Sequence, residues 1–372
     1  MAGRPISANA KSSSIDARWL ARLRRQLLRW SDKHGRDLPW RRSRNAYRVW
    51  ISEIMLQQTT VVAVVPYFER FLGRFATVQA LARAGEHDVL RLWEGLGYYS
   101  RARNLHRAAK IIVAQHESKF PRTLDAALEL PGIGTYTAAA VLSIAYDAPL
   151  AVLDGNVARV LARITAIHGD LRAPNNWRAL MAAAQNLLAT QAPGDWNQSL
   201  MELGEVVCTP QSPRCAECPV ASHCRAYAQG LTNKIPAPRR KRAPVQMKIA
   251  AAILRDPRGC TLLIQDPGAH DQVLFSRMWQ FPAVEIQRHA KAELEAHLRS
   301  TLAITKISLE ELPAARHGVT FRNITLLPFL VNVPELPTLP RTRILPLKNL
   351  AKLPISSATR KIAAAASGAP MG

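Results

Sequence analysis

Acidic side chains are scarce in this chain of 372 residues: 27 Asp and Glu stand against 50 Lys and Arg, a formal charge of +23. The shortage is spread along the chain, with 18 acids against 29 bases up to residue 230 and 9 against 21 beyond it. A basic excess in both halves fits a polyanion touched by both. Charge alone does not choose among nucleic acid, a membrane surface or a ribosome. Long apolar runs are missing too; none approaches the ~20 residues that cross a bilayer, and no secretory signal is visible. The expected compartment is the cytoplasm. Cysteine occurs only five times, and one of the five, Cys260, stands alone in an apolar stretch and reads as a buried thiol. Wholesale disorder is excluded by a hydrophobic content of 48%. The length allows two or three domains and at least one sizeable core. Residues 1–14 contain no acid and read as a disordered basic tail.

The other four cysteines are crowded. Cys208, Cys215, Cys218 and Cys224 form C-x6-C-x2-C-x5-C within 17 residues. Four thiolates so close can close a soft-ligand site, which implies a reducing compartment and a compact loop. On thiolate count, a structural zinc knot and an iron–sulfur cluster are equally good readings.

The first 229 residues show helical periodicity and no convincing strand. Ala17–Trp30, Tyr47–Gln58, Val61–Leu72, Glu86–Glu94, Arg101–His116, Thr135–Tyr146, Asn156–Ile167, Trp177–Thr190 and Asn197–Val207 read as helices, with Gly- or Pro-marked turns between several of them. Residues 15–229, closed by the cysteine loop, form the expected first domain. Residues 230–246, with Lys234, Arg239, Arg240, Lys241 and Arg242, read as an extended basic linker. Residues 247–360 form an α+β module: strands at Met247–Leu254 and Thr261–Gln265 around an Asp256–Gly259 turn, a helix at Ala290–Ser300, and extended segments at Ile304–Leu309, Gly318–Phe321 and Ile324–Val333. Residues 361–372 read as a frayed end.

Three segments carry chemistry. In Leu130-Pro131-Gly132-Ile133-Gly134-Thr135-Tyr136, two glycines end one helix and start the next. Free N–H groups at the new helix start suit a phosphate oxygen, so this is a helix-hairpin-helix that grips DNA backbone without reading sequence, through Gly132 and Gly134. Eighteen residues past Tyr136 lies Asp154. It can serve as a helix N-cap, or its carboxylate can stabilise an oxocarbenium-like sugar. Glu53 lies in an apolar helix beside Trp50, Ile54 and Leu56. Desolvation there raises a carboxyl pKa and equips it to donate a proton; a buried partner of an arginine is the plainer alternative.

Together these segments resemble the MutY family of adenine DNA glycosylases, within the endonuclease III helix-hairpin-helix superfamily. The carrying stretches are Leu38–Arg41, Ser52–Thr59, Gly95–Asn104, Leu130–Ala138, Leu153–Val157 and the cysteine loop. The resemblance spans most of residues 15–229 and extends more weakly over 245–350. It implies one [4Fe–4S] cluster on Cys208, Cys215, Cys218 and Cys224. It also implies that Glu53 protonates adenine at N7 and that Asp154 stabilises the sugar, with Asn156 and Tyr136 as polar groups around them. Trp40, Arg41, Leu56 and Gln198, with Glu202 in addition, would line the adenine pocket. Gln57 and Tyr98 would wedge into the duplex. The implied partner is double-stranded DNA with adenine opposite 8-oxoguanine or guanine, bound by a monomer associated with a bacterial nucleoid.

Lyase members of the superfamily carry a Lys two residues after the Gly-x-Gly turn, able to form a Schiff base. Tyr136 occupies that position, which implies base removal without efficient strand cleavage. The C-terminal module resembles the MutT-like (Nudix-like) domain of the family, which helps recognise 8-oxoguanine. It has no Glu-rich nucleotide-hydrolase box. The family's Phe-Ser-His loop aligns with Phe321-Arg322-Asn323, so the phenyl ring is kept while the hydroxyl and imidazole are replaced. The competing readings are an endonuclease III-like enzyme for oxidised pyrimidines and a non-catalytic iron–sulfur DNA-binding regulator.

Overall fold

The computed structural model describes residues 16–237, 243–265, 278–319 and 321–367. The expected tail 1–14, linker residues 238–242 and the last five residues lie outside the described residues. Contacts divide the chain into two units, neither continuous in sequence. The first is Met1–Glu53 with Phe120–Arg239, and the second is Ile54–Lys119 with Arg240–Gly372. The change from one to the other falls inside a single helix.

The part before the sheet is helical, as expected. Its helices are α1 (Ala17–His34), α2 (Ala46–Leu56), α3 (Val61–Arg74), α4 (Val78–Arg83), α5 (Glu86–Trp93), α6 (Tyr99–Gln115), α7 (Leu124–Leu128), α8 (Thr135–Tyr146), α9 (Gly155–Thr165), α10 (Pro174–Leu187), α11 (Pro193–Val206) and α12 (Arg225–Ala228). In the first unit, α1 starts where the Asp16 carboxylate accepts from the Arg18 amide at 2.9 Å, and it buries Leu23 and Leu27 one turn apart. α8 is built from small residues buried from Thr137 to Ile144, so neighbouring backbone can approach closely. Gly194 of α11 uses that space. A Cβ there would lie 2.6 Å from the Ser143 carbonyl oxygen. The short helices α4 and α7 escaped the periodicity reading because five or six residues hold too few apolar repeats.

In the second unit, α3, α5 and α6 bury Phe68, Phe71, Trp93 and Leu105. The same unit holds an eight-stranded sheet: β1 (Val245–Arg255), β2 (Cys260–Gln265), β3 (Trp279–Gln280), β4 (Ala283–Glu285), β5 (Glu310–Glu311), β6 (Ala315–Val319), β7 (Arg322–Asn332) and β8 (Thr342–Pro346), with α13 (Ala290–Leu302) and α14 (Ser357–Ser367). β1 and β7 pair in parallel from Val245↔Arg322 to Arg255↔Asn332, and the other described pairs are antiparallel. The run Ala250-Ala251-Ala252-Ile253-Leu254 is buried throughout because both faces are covered. Ala250, Ala252 and Leu254 pack with Leu294, Leu298 and Leu302 of α13. Ala251 and Ile253 pack with Ala358 and Ile362 of α14. Each such leucine contributes about 1.5–3 kcal/mol by leaving water. This is the α+β, MutT/Nudix-like arrangement expected.

Several boundaries differ from expectation. Residues 361–367 are helical rather than frayed, because Ile362 and Ala365 of α14 are buried. The expected linker is shorter. Ile235 is 1% exposed and its carbonyl is held by Arg163, while Val245 already belongs to β1. Ile304–Leu309 forms no strand; its apolar residues pack on the α13 face of the sheet without pairing.

Candidate active site and cluster loop

Glu53 sits in α2, where every residue from Val49 to Met55 is buried. Its side chain has almost no water, and burial drives its pKa up to about 7. The negative charge of Asp154 adds to the rise, while a hydrogen bond with Tyr136 and the charge of Arg41 oppose it. The Tyr136 hydroxyl also lies 3.3 Å from Met201 Sδ. Burial, reinforced by Glu53 and Asp154, pushes the phenol well above its usual pKa, so it stays a neutral donor.

Asp154 is the N-cap of α9. Its Oδ1 accepts from the Val157 amide at 2.7 Å. Burial raises its pKa as well, but hydrogen bonds from the Val157 and Asn156 amides and the charge of Arg159 favour the anion. The N-cap and sugar-stabilising readings are therefore compatible: capping uses one oxygen and leaves a partly exposed carboxylate. Both carboxyls are thus pushed upward by burial; at Asp154 the amide hydrogen bonds and the Arg159 guanidinium oppose that rise.

The approach to Asp154 is held by side chains. The extended segment 149–153 has no strand partner among the described residues. Instead the Asn197 amide donates to Leu150 O at 2.8 Å and Ser143 Oγ at 2.9 Å, and accepts from the Val152 amide at 3.3 Å. Gln185 accepts from the Ala151 amide at 3.3 Å and donates to Pro149 O at 3.1 Å. Buried backbone needs such partners. On α9, Asn156 Oδ1 accepts from Arg159 Nη2 at 3.0 Å, and a Cβ on Gly204 would come within 2.9 Å of the Asn156 Cβ.

Arg41 follows the buried Trp40, which is 6% exposed, and forms an ion pair with Glu202 at 2.8 Å. Glu202 is fully buried and also receives a bidentate fork from Arg36 at 2.7 and 2.8 Å. Arg36 in turn reaches Glu205 at 2.7 Å. Glu202 thus fixes Arg41. Gln198 precedes it by one turn of α11 and shares its face.

At the hairpin, Gly132 takes φ +80°, a conformation that favours glycine. Ile133 anchors the turn in the core, leaving Gly132, Gly134 and Thr135 exposed. Gly134 begins α8 with no side-chain cap and with no atom near its would-be Cβ. The α8 N-terminus can therefore accept an anion.

In the second unit, Leu56 ends α2, Gln57 follows, and Tyr98 is the N-cap of α6. Tyr98 is 38% exposed and adopts φ +49°, a strained conformation for an aromatic residue. Arg101 joins these two regions. Its Nη1 donates to the carbonyls of Ile54, Met55 and Gln57 at 2.7, 2.9 and 2.5 Å, and its Nη2 to Leu96 and Gly97 at 3.3 Å each. Phe321 and Asn323 lie at the β6–β7 hairpin tip, where Asn323 is exposed and the Arg322 guanidinium covers the Phe321 ring at 5.2 Å.

The four cysteines line one small cavity of about 20 Å³, together with Arg163 and Tyr227. Four thiols around a shared space are a donor set suited to a soft metal centre. Burial and the neighbouring thiols push Cys218 up to about 12, so the thiolate set requires a cationic core. Arg163 Nη1 donates to Cys208 Sγ at 3.2 Å, and Arg159 Nε to the Cys208 carbonyl at 2.8 Å. Sequence reasoning missed Arg36, Arg101, Arg159, Arg163 and Asn197. The one available signal was Arg159 and Arg163 falling on the apolar side of α9.

Residues 51–186 match the family described as HhH-GPD superfamily base excision DNA repair protein, and residues 208–224 match the iron-sulfur binding domain of endonuclease III. Those cysteines therefore hold a [4Fe–4S] cluster. The adenine DNA glycosylase of Rattus norvegicus is 34% identical over 91% of this chain and 77% of its own length. That of Mycolicibacterium smegmatis is 47% identical over 55% of this chain and 70% of its own. A solved thermostable thymine-DNA glycosylase is 26% identical, with a TM-score of 0.52, over 57% of this chain and 98% of that one. No helix among the described residues is long and apolar enough to cross a membrane. With a relative 34% identical over 91% of its length and a base-excision repair family model matched over residues 51–186, this chain belongs to the adenine DNA glycosylase family of base-excision repair enzymes.

Proposed function

We propose that this enzyme hydrolyses the N-glycosidic bond of adenine mispaired with 8-oxoguanine or guanine and leaves the abasic strand uncut. The observation that carries the reading is Glu53, a desolvated carboxyl tuned to about 7 that feels the charge of Asp154. An adenine inside a duplex is out of reach, so the nucleotide is extruded, and Gln57 and Tyr98 prop the gap. Glu53 gives its proton to N7 of the extruded base. The C1′–N9 bond breaks with its electron pair moving to the purine. The Asp154 carboxylate faces the resulting oxocarbenium ion. Water then adds at C1′ and loses its proton to the Glu53 carboxylate, which restores the acid.

Trp40, Arg41, Leu56, Gln198 and Glu202 form the adenine-binding set, with Arg41 oriented by the Glu202 carboxylate. The Gly132–Gly134 turn holds a phosphate, and Phe321 and Asn323 contact the opposing base. Cys208, Cys215, Cys218 and Cys224 would hold the [4Fe–4S] cluster, which would crosslink the 208–224 loop. The protein acts as a monomer.

The test is a panel of duplexes containing adenine opposite 8-oxoguanine, adenine opposite guanine, and thymine glycol. Alkali-revealed breaks at adenine in the first two, with little breakage before alkali, are expected. No break at adenine, or cutting confined to thymine glycol, contradicts the reading.

A further inference from the structure

The loop between α5 and α6 carries Tyr98, and it is held at both ends. At its far end, Arg101 collects the Leu96 and Gly97 carbonyls. At its near end stands Glu94, the C-cap of α5, whose side chain is only 8% exposed. A carboxylate so enclosed needs a cation. Its partner lies 266 residues away: Arg360 of α14 donates from Nε to Oε1 and from Nη2 to Oε2, both at 2.6 Å. This planar fork is a directional contact and a strong one.

Neither side of the contact is free to drift. α14 is pinned to the sheet by Ala358 and Ile362. On the loop side, Gly95 has φ +99°, and a Cβ there would fall 2.1 Å from the Tyr67 hydroxyl oxygen. Tyr99 hydrogen-bonds the Gly95 backbone. Between these supports Tyr98 is kept at φ +49°. A residue persists in that region only when its surroundings over-determine it.

We propose that Arg360 is a positioning residue whose fork on Glu94 sets the Glu94–Tyr98 loop, making the sheet-bearing module a determinant of how Tyr98 enters the duplex. The inference rests on the proposed wedge role of Tyr98. It assigns α14 a part in catalytic specificity that does not require α14 to touch DNA.

The test is a double-mutant cycle on the full-length, cluster-loaded protein. Binding is measured to a duplex with a non-hydrolysable adenosine analogue opposite 8-oxoguanine. Arg360→Ala and Glu94→Gln are each expected to raise the Kd about three- to tenfold, with cluster absorbance and melting temperature close to the unaltered protein. If Arg360→Ala fails to fold, Arg360→Gln takes its place in the cycle. In a Tyr98→Ala background the same changes are expected to cost less than about twofold, because the group they position is gone. Full additivity with Tyr98→Ala, or unchanged binding by Arg360→Ala, overturns the proposal. The unaltered protein is assayed in parallel for adenine release. Failure there overturns the proposed function, whereas adenine release with an additive cycle removes only the role of Arg360.

Discussion

The helical part and the sheet of this molecule bury different things. Before residue 238, Glu53, Arg101, Arg159, Arg163, Asn197 and Glu202 are among the buried side chains. Among the described residues of the sheet-bearing part, the buried polar side chains are Asp256, Thr261, Ser356 and Thr359, and apolar side chains fill the rest of the core. Burying a charge or an amide costs several kcal/mol unless partners replace water. The helical part carries that cost where the carboxyls, the segment 149–153 and the cluster loop need fixed geometry. The sheet achieves its order with leucine, isoleucine and alanine.

The largest effect that could break this contrast is at Glu53. Glu53→Gln is expected to slow adenine release by about 10²–10⁴-fold, since the amide has no acidic proton, while duplex binding stays within a few-fold. The same change should stabilise the fold. The folded-state pKa of Glu53 is raised from 4.5 to about 7. The burial penalty is therefore absent below about pH 4.5, grows as pH rises, and is complete above about 7. The variant should gain about 3 kcal/mol there and nothing in acid. Denaturant melts at pH 4 and pH 8 check this; equal stability at both would break the comparison.

Next in size is a matched pair. Asn197→Ala leaves the Val152 amide and Leu150 carbonyl without their partner and is expected to cost about 2–4 kcal/mol. Leu298→Ala opens a cavity under the sheet and costs a similar 2–5 kcal/mol. Only the first should also reduce single-turnover adenine release per folded molecule, because it loosens the approach to Asp154. Equal activity losses would erase the distinction between the regions. Gly204→Ala is smaller, about 1–3 kcal/mol, since its Cβ would press on Asn156; a denaturation curve and release rate read both consequences. The finest effect is at Tyr136. Its hydrogen bond lowers the Glu53 pKa, so Tyr136→Phe should move the alkaline limb of the pH–rate profile upward. A downward move would reverse the assigned sign.

Much of this was legible before any coordinates. Helical periodicity located most of the longer helices, and the Asp256–Gly259 turn and the extended segments that became β1 and β7 were visible, though not their parallel pairing. Glu53 was visible as an acid in an apolar helix, and Asp154 as an N-cap. Local pattern cannot show partners distant in sequence. Nothing around Arg101 announces that its guanidinium will gather carbonyls from residues 54–57 and 96–97. Nothing around Glu202 announces two arginines from residues 36 and 41. The strands β3 and β4 are two and three residues long, too short for a period to register. The end of the chain read as frayed because its alanines carry little hydrophobic signal until the sheet offers them a surface.

The central claim is that burial near Asp154 holds Glu53 as an acid at neutral pH. Isotope-edited infrared titration of the Glu53 carboxyl, with Glu53→Gln as the blank, measures it directly. A protonated carbonyl stretch that disappears with a midpoint near the expected value of about 7 is predicted. A carboxylate already ionised at pH 5 would contradict the account.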